Sequence, residues 1–306
     1  MSFQNLMRMN SQKNKLTEDD YRRLIENCIC AYVPQSSYGN SAVYDAALYS
    51  LMNGGKRIRP LLVLEACRIC GGDYMKAMPF AAAIEMIHTY SLIHDDLPCM
   101  DDDDYRRGKP SCHVAFGEDV AVLAGDALLT QAFSAVSESE IARKRPDIAV
   151  KAIAALSRYS GINGMIGGQM LDLSNENRAV SAEDVDLCNS LKTGALIRCA
   201  VYIGAICADA DAAAIKALDD YALNIGKAFQ IVDDILNVVG DEKLLGKPTG
   251  SDSEKGKTNY VTLLGLDGAR ETAEKLTENA VKALECFADE GDFLKNIAYS
   301  LIKRSN

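Results

Sequence analysis

The sequence predicts an all-α protein, built as a single domain of long helices around a central space. Three observations predict it. Apolar residues recur at three- and four-residue spacing along most of the chain. The strong helix formers Ala, Leu, Met, Glu and Lys dominate those segments. No run of alternating β-branched residues asks for a strand. A length of 306 residues alone would suggest about two domains. The seven prolines are dispersed, however, and no Ser/Gly-rich stretch offers a linker, while 48% hydrophobic residues supply a large core. Residues 1–306 therefore read as one domain, with 1–15 as a flexible N-terminal extension.

The elements follow in order. Helices are expected over 17–33, then 40–53 up to Gly54-Gly55, then 59–70 up to Gly71-Gly72. The next covers 74–97, because Pro98 disfavours helix through Leu97. After the Gly108–Pro110 break come 113–137 and 147–160, with the Gly161–Gly168 cluster read as punctuation. Ser181, with Asp184 three residues on, approximates a capping box that opens 181–207. Helices over 210–239, 257–287 and 291–303 complete the set, with a break at Gly246–Gly256. No internal repeat is visible.

Composition excludes some classes of function. A net charge of −10 and a pI near 4.9 argue against nucleic-acid binding, which needs a basic face. Global charge does not exclude an anionic small ligand, since metal ions and a few cations reverse the local field. The start, MSFQNLMRMNSQKNK, has no apolar leader core, so a cytoplasmic location is expected. The ten cysteines then read as reduced thiols acting as small hydrophobes. The stretch Ala195–Ala208 is interrupted by Arg198 and is too short to span a bilayer, so no membrane span is expected.

Two acidic clusters carry the chemistry. The first is His94-Asp95-Asp96-Leu97-Pro98-Cys99-Met100-Asp101, continuing through Asp104 to Arg106 and Arg107. Asp95 and Asp96 fall in the last turn of a helix, the wrong end of the dipole for a carboxylate. The bend at Pro98 lets Asp101 return beside Asp95. Hard oxygen ligands so placed suit Mg²⁺ carrying the phosphates of a substrate, and Arg suits bidentate phosphate contacts. The bland alternative is an acidic solvated loop. The second cluster is Gln230-Ile231-Val232-Asp233-Asp234-Ile235-Leu236-Asn237, where Gln230, Asp233 and Asn237 share one helical face. A solvated stripe is its bland reading. Two such sites in one helical chain, each with cations nearby, favour a metal–diphosphate site.

The chain resembles the trans-isoprenyl diphosphate synthases, of the bacterial farnesyl diphosphate synthase kind, from about residue 40 to 300. The resemblance rests on Gly54-Gly55-Lys56-Arg57-Ile58-Arg59-Pro60, on both aspartate motifs in order, and on Gly125-Asp126-Ala127-Leu128-Leu129. Gly167-Gly168-Gln169, Lys192-Thr193-Gly194 and Gly246-Lys247 extend it. It implies the isoprenoid synthase fold, a homodimer, and three Mg²⁺ ions, with Mn²⁺ as a substitute. Asp95, Asp96 and Asp101 would serve the metals at the first motif, and Asp233 with Asp234 alongside at the second. Arg106, Lys192 and Lys247 would hold the allylic diphosphate. Gly55, Lys56, Arg59, His88 and Arg107 would hold isopentenyl diphosphate. Lys257 would line the phosphate site and Gln169 the cavity, with Asp172 given little weight. Thr193 and Gln230 would offer oxygen dipoles to an allylic cation.

The same resemblance makes Tyr90, five residues before the first aspartate, the floor of the chain pocket. That implies a fifteen-carbon product, farnesyl diphosphate, made from dimethylallyl or geranyl diphosphate. The Pro98-Cys99 insertion matches the bacterial farnesyl type. Asn237 departs from the pattern, standing where a third aspartate is common, and weaker metal binding is expected there. A geranylgeranyl synthase, a terpene cyclase and a regulatory subunit are the weighed alternatives. A zinc site at Cys67, Cys70, His88 and His94 is rejected because the span reads as two long helices. The Gly250 to Gly256-Lys257-Thr258 run misses a phosphate loop by one residue and follows no strand.

Overall fold

In the computed structural model, residues 16–35, 41–176, 178, 180–239 and 258–302 are described. Lys247 and Lys257 lie outside them, as do Asp241 and the Gly246–Gly256 segment. The chain is helical almost throughout, as the periodicity predicts. It begins with α1 (Glu18–Ile29), α2 (Ala42–Leu51), α3 (Ile58–Ile69) and α4 (Met78–Asp95). A small hairpin follows, β1 (Tyr105–Arg106) with β2 (Lys109–Pro110). Next are α5 (Cys112–Phe116), α6 (Glu118–Ser137), α7 (Glu140–Lys144), α8 (Pro146–Ser160) and α9 (Met165–Asn175). Then come α10 (Ala182–Asn189), a π-turn (Ser190–Gly194), α11 (Ala195–Cys207), α12 (Ala212–Val239), α13 (Tyr260–Ala283) and α14 (Asp292–Ile302).

The core explains the arrangement. Helix α4 buries residues on nearly every side, among them Phe80, Ile84, Met86, Ile87 and Tyr90. A helix apolar all round belongs in the centre of a bundle. Helix α6 packs on it through buried Ala121, Ala124 and Leu128, and α11 packs on α3. Small residues at these faces allow close approach: a Cβ on Gly204 of α11 would lie 2.2 Å from the carbonyl oxygen of Val63 on α3. A second apolar cluster, including Val185, Ile231, Ile235 and Tyr260, joins α10, α12 and α13. The capping box at Ser181 and Asp184 is formed.

Four local expectations are corrected. A strand pair exists after all, two residues per strand, turning through Arg107 (φ 55°) and Gly108 (φ 76°). Positive φ at both central residues is the tight-hairpin geometry, and it was hidden by the shortness of the strands. The helix read over 113–137 divides at Gly117 (φ 96°) into α5 and α6. The glycine cluster is not all punctuation, because Met165–Gly168 forms the first turn of α9. The helix read over 181–207 is interrupted by the π-turn.

Two stretches, Glu118–Ser137 and the run Ala182–Cys207, are long and apolar enough to cross a membrane. In the second, 61% of the apolar window is buried inside the bundle, which accounts for its hydropathy by packing. All ten cysteines are free, and all but Cys99 and Cys286 are buried or half-buried.

Candidate active site

The first acidic motif is shaped by how α4 ends. Past Asp95 the backbone curls: Met100 N–H donates to Leu97 O (2.8 Å), Asp102 N–H to Leu97 O (3.2 Å), and Asp101 N–H to Asp95 O (2.9 Å). Asp101 is thereby folded back against Asp95. Burial pushes the Asp95 carboxyl up to about 6; Lys192 opposes the rise, Asp101 adds to it and Arg106 opposes it. Lys192 is thus the cation whose charge acts most strongly on Asp95.

Asp96, one residue on, points elsewhere. It is 2% exposed and takes Arg106 through Nε at 3.0 Å and through Nη2. Burial pushes the Asp96 carboxyl up, and the Arg106 hydrogen bond opposes it. Arg106 Nη2 also reaches Asp103 (3.2 Å), and its carbonyl accepts from Asn53 Nδ2 (2.9 Å).

Beside this pair stands a cluster of cations. Burial lowers the Arg59 pKa to about 10, with Glu85 opposing and Arg107 contributing. Arg107 is also lowered, chiefly by burial. Arg59 Nη1 lies 3.4 Å from His88 Nε2, and because Arg only donates, Nε2 is the acceptor. Burial, then Arg59, Arg107 and Arg106, hold His88 well below the ordinary imidazole range, so it is neutral. Arg59 Nε is buried with no hydrogen-bond partner among the described residues. Lys56 is exposed at the rim. Gly55 (φ 109°) lies under Arg107, whose guanidinium would stand 2.5 Å from a Cβ there and donates to Gly54 O.

The second motif lies inside α12 rather than at its end. Asp233 is exposed, and Asp234 is 4% exposed. Asp234 accepts from Gln230 Nε2 (3.1 Å) and from the backbone N–H of Tyr260 (2.9 Å). Gln230 Oε1 in turn accepts from Thr193 Oγ1 (3.2 Å). Asn237 is half-buried one turn further on.

The π-turn connects both motifs, because it carries Lys192 and Thr193. Such turns recur at functional sites. Its placement depends on Gly168, where a Cβ would meet Lys192 N at 2.1 Å. Lys192 Nζ also pairs with Asp172 (2.7 Å), and the Gln169 amide is buried with both polar atoms unpartnered among the described residues.

Tyr90 is 5% exposed, stacked edge-on to His94 at 5.7 Å, and its hydroxyl has no partner among the described residues. His94 Nε2 reaches Val122 O on α6 (3.1 Å).

Sequence reading passed over several residues that shape this site. Arg57, 3% exposed with φ 52°, pairs with buried Glu85 (2.6 Å) and donates to Leu51 O, fixing the backbone between Lys56 and Arg59. Glu85 lies three residues before His88, on the same helical face, which is the signal that would have found it. Asp172, given little weight from the sequence, pairs with Lys192 (2.7 Å).

The donor set fits a hard divalent cation: oxygens only, two carboxylates drawn together at Asp95 and Asp101, and a nearby counter-charge. Among the described residues no three His, Cys, Asp or Glu side chains form a ready-made cage.

The profile of the polyprenyl synthetase family matches residues 40–299. The chain belongs to the polyprenyl synthetase family. It is 44% identical, over 253 residues, to a farnesyl diphosphate synthase of Geobacillus stearothermophilus, covering 83% of this chain and 85% of that one. It is 41% identical to a geranylgeranyl diphosphate synthase of Cyanophora paradoxa, covering 93% and 94%. Among solved structures, an FPP/GFPP synthase from Zymomonas mobilis superposes with a TM-score of 0.83 at 37% identity, covering 97% of this chain and 99% of that one.

Proposed function

We propose that this chain is a head-to-tail prenyltransferase that condenses isopentenyl diphosphate with dimethylallyl or geranyl diphosphate to give farnesyl diphosphate. The observation that carries the reading is the joining of two unlike sites through Arg106. One is the carboxylate pair Asp95 and Asp101, with Lys192 the cation acting most strongly on Asp95. The other is the half-buried Arg59–His88 pair with exposed Arg107 beside it, where cations lowered by desolvation favour an anionic guest.

In this reading Asp95, Asp101 and Asp233 would hold three Mg²⁺ ions, with Mn²⁺ as a substitute. Asp96 and Asp234 stand behind them. When bound, those ions neutralise charge that develops on the departing diphosphate. Lys192 sits where it adds to that neutralisation, and Arg106 anchors the motif through Asp96. Lys56, Arg59, Arg107 and neutral His88 orient the isopentenyl diphosphate, with Gly55 giving the close backbone approach. The allylic C–O bond breaks, the isopentenyl double bond attacks to form the new C–C bond, and a proton leaves to the freed diphosphate. The Thr193–Gln230 pair offers oxygen dipoles to the transient cation, and apolar helix faces exclude the water that would quench it. Lys247 and Lys257 are assigned to the phosphates by resemblance. Gln169, whose amide is buried with no partner among the described residues, lines the cavity. Tyr90 closes its floor, which favours fifteen carbons over twenty.

A homodimer is part of the proposal. Exposed apolar residues on three helices support it: Val122 and Leu123 on α6, Val150 on α8, and Ile166 and Met170 on α9. A cytoplasmic location and the absence of a membrane span or nucleic-acid partner complete it.

The test is product analysis of purified protein with Mg²⁺, labelled isopentenyl diphosphate, and dimethylallyl or geranyl diphosphate. Farnesyl diphosphate as the main product supports the reading. A twenty-carbon product keeps the chemistry and overturns the role of Tyr90. No product with either Mg²⁺ or Mn²⁺ overturns it all.

A further inference from the structure

Asp233 and Asp234 are adjacent but live in different surroundings. Asp233 is exposed, whereas Asp234 is 4% exposed and flanked on its helix by Ile231 and Ile235, both 0% exposed. Both oxygens of Asp234 accept from protein donors: Oδ1 from Gln230 Nε2 (3.1 Å) and Oδ2 from Tyr260 N (2.9 Å). A carboxylate can only accept. Gln230 must therefore turn its NH₂ toward Asp234, and its oxygen is left facing the Thr193 hydroxyl at 3.2 Å. The orientation of an amide is decided by its network, and here an anion decides it. Thr193 follows Lys192, the strongest charge acting on Asp95. The amide oxygen is thus held toward the side of the interior where the allylic cation would form.

We infer that Asp234 is a positioning residue for the reaction rather than a metal ligand. It locks the Gln230 carboxamide with its oxygen toward Thr193, and it holds the first turn of α13 against α12. The same clamp continues through Tyr260, whose hydroxyl donates to Asp186 (2.5 Å), itself paired with Lys227 (2.6 Å). The inference rests on the prenyltransferase reading for the part played by Gln230.

The experiment uses Asp234→Asn, which preserves shape and allows the amide of Gln230 to turn over. Bound Mn²⁺ is counted by electron paramagnetic resonance in the presence of inorganic diphosphate, with Asp233→Asn as the control for a lost ligand. Asp234→Asn is expected to keep the wild-type Mn²⁺ count, to keep KM for both diphosphates within about twofold, and to lower kcat roughly ten- to a hundredfold, the scale of one charge-assisted hydrogen bond. In a Gln230→Ala background the same substitution should lower kcat by no more than about threefold, because the group it orients is gone. A Mn²⁺ count that falls with Asp234→Asn as it does with Asp233→Asn overturns the inference. So does an undiminished fall in the Gln230→Ala background. If Asp234→Asn does not fold, Asp234→Ser removes the carboxylate at smaller volume and the Mn²⁺ count decides in the same way. An inactive wild type would sink the prenyltransferase reading, while the Mn²⁺ count would still decide whether Asp234 is a ligand.

Discussion

The two acidic motifs begin with the same dipeptide and divide its labour in the same way, but they anchor it by different chemistry. In each, the first aspartate is the more open and the second is buried. At the end of α4 the buried member, Asp96, is neutralised by a cation, Arg106, brought in by the hairpin. Within α12 the buried member, Asp234, meets neutral donors, an amide NH₂ and a backbone N–H. The first anchor fixes a loop that curls past a helix end, and needs a strong partner there. The second fixes one side chain and the start of another helix. A pair of adjacent aspartates is therefore half chemistry and half scaffold at both places.

The largest effect should come from the open members. Replacing Asp95 and Asp101 together by Asn should lower kcat by about 10³ or more, the scale of losing direct stabilisation of developing charge. Single-turnover kinetics would measure it, and a loss under tenfold would remove the first motif from the chemistry. The buried members come next, and they separate the two anchors. Asp96→Asn leaves Arg106 in a buried site and should cost about 3 kcal/mol of folding stability. Asp234→Asn breaks bonds to neutral donors and should cost about 1–2 kcal/mol. Urea denaturation of both variants checks the order, and equal costs would show that the cation at Arg106 makes no difference.

Below the first motif, Tyr90→Ala should open the pocket and move part of the product from fifteen toward twenty carbons, read by chromatography of dephosphorylated products. An unchanged distribution would place the floor elsewhere. The smallest effect is expected at Asn237→Asp, which adds one charged oxygen beside Asp233. The Mg²⁺ concentration for half-maximal rate should fall roughly twofold, and an unchanged requirement would show that the amide position takes no part.

Much of this was legible in the sequence because helices announce themselves by period. The starts and stops at Gly54-Gly55, Gly71-Gly72 and Ser181 lie close to where they were read. The hairpin was not legible, since two residues per strand cannot show alternation and its turn depends on Arg107 adopting positive φ. The π-turn was not legible either, because it arises where Gly168 lets two backbones touch, a tertiary event. The motifs named the residue types of the site but could not rank adjacent aspartates. Neighbours on a helix point about 100° apart, so the two members of a pair meet different surroundings, and Arg106, Gln230 and Tyr260 hold the buried one. Arg57 was quoted within its motif yet given no role, because its partner Glu85 lies on another helix.

The π-turn also changes how the segment from Ala182 to Cys207 counts its own residues. A π-turn spends one extra residue on a single revolution, so α10 and α11 run out of phase by about 100°. Deleting one residue there would let the segment become an unbroken helix, yet every side chain before the turn would be rotated away from its present neighbours. Insertions and deletions are therefore forbidden at this place for a reason of phase rather than of space. The length of the loop is the information stored there, as much as the identity of Lys192.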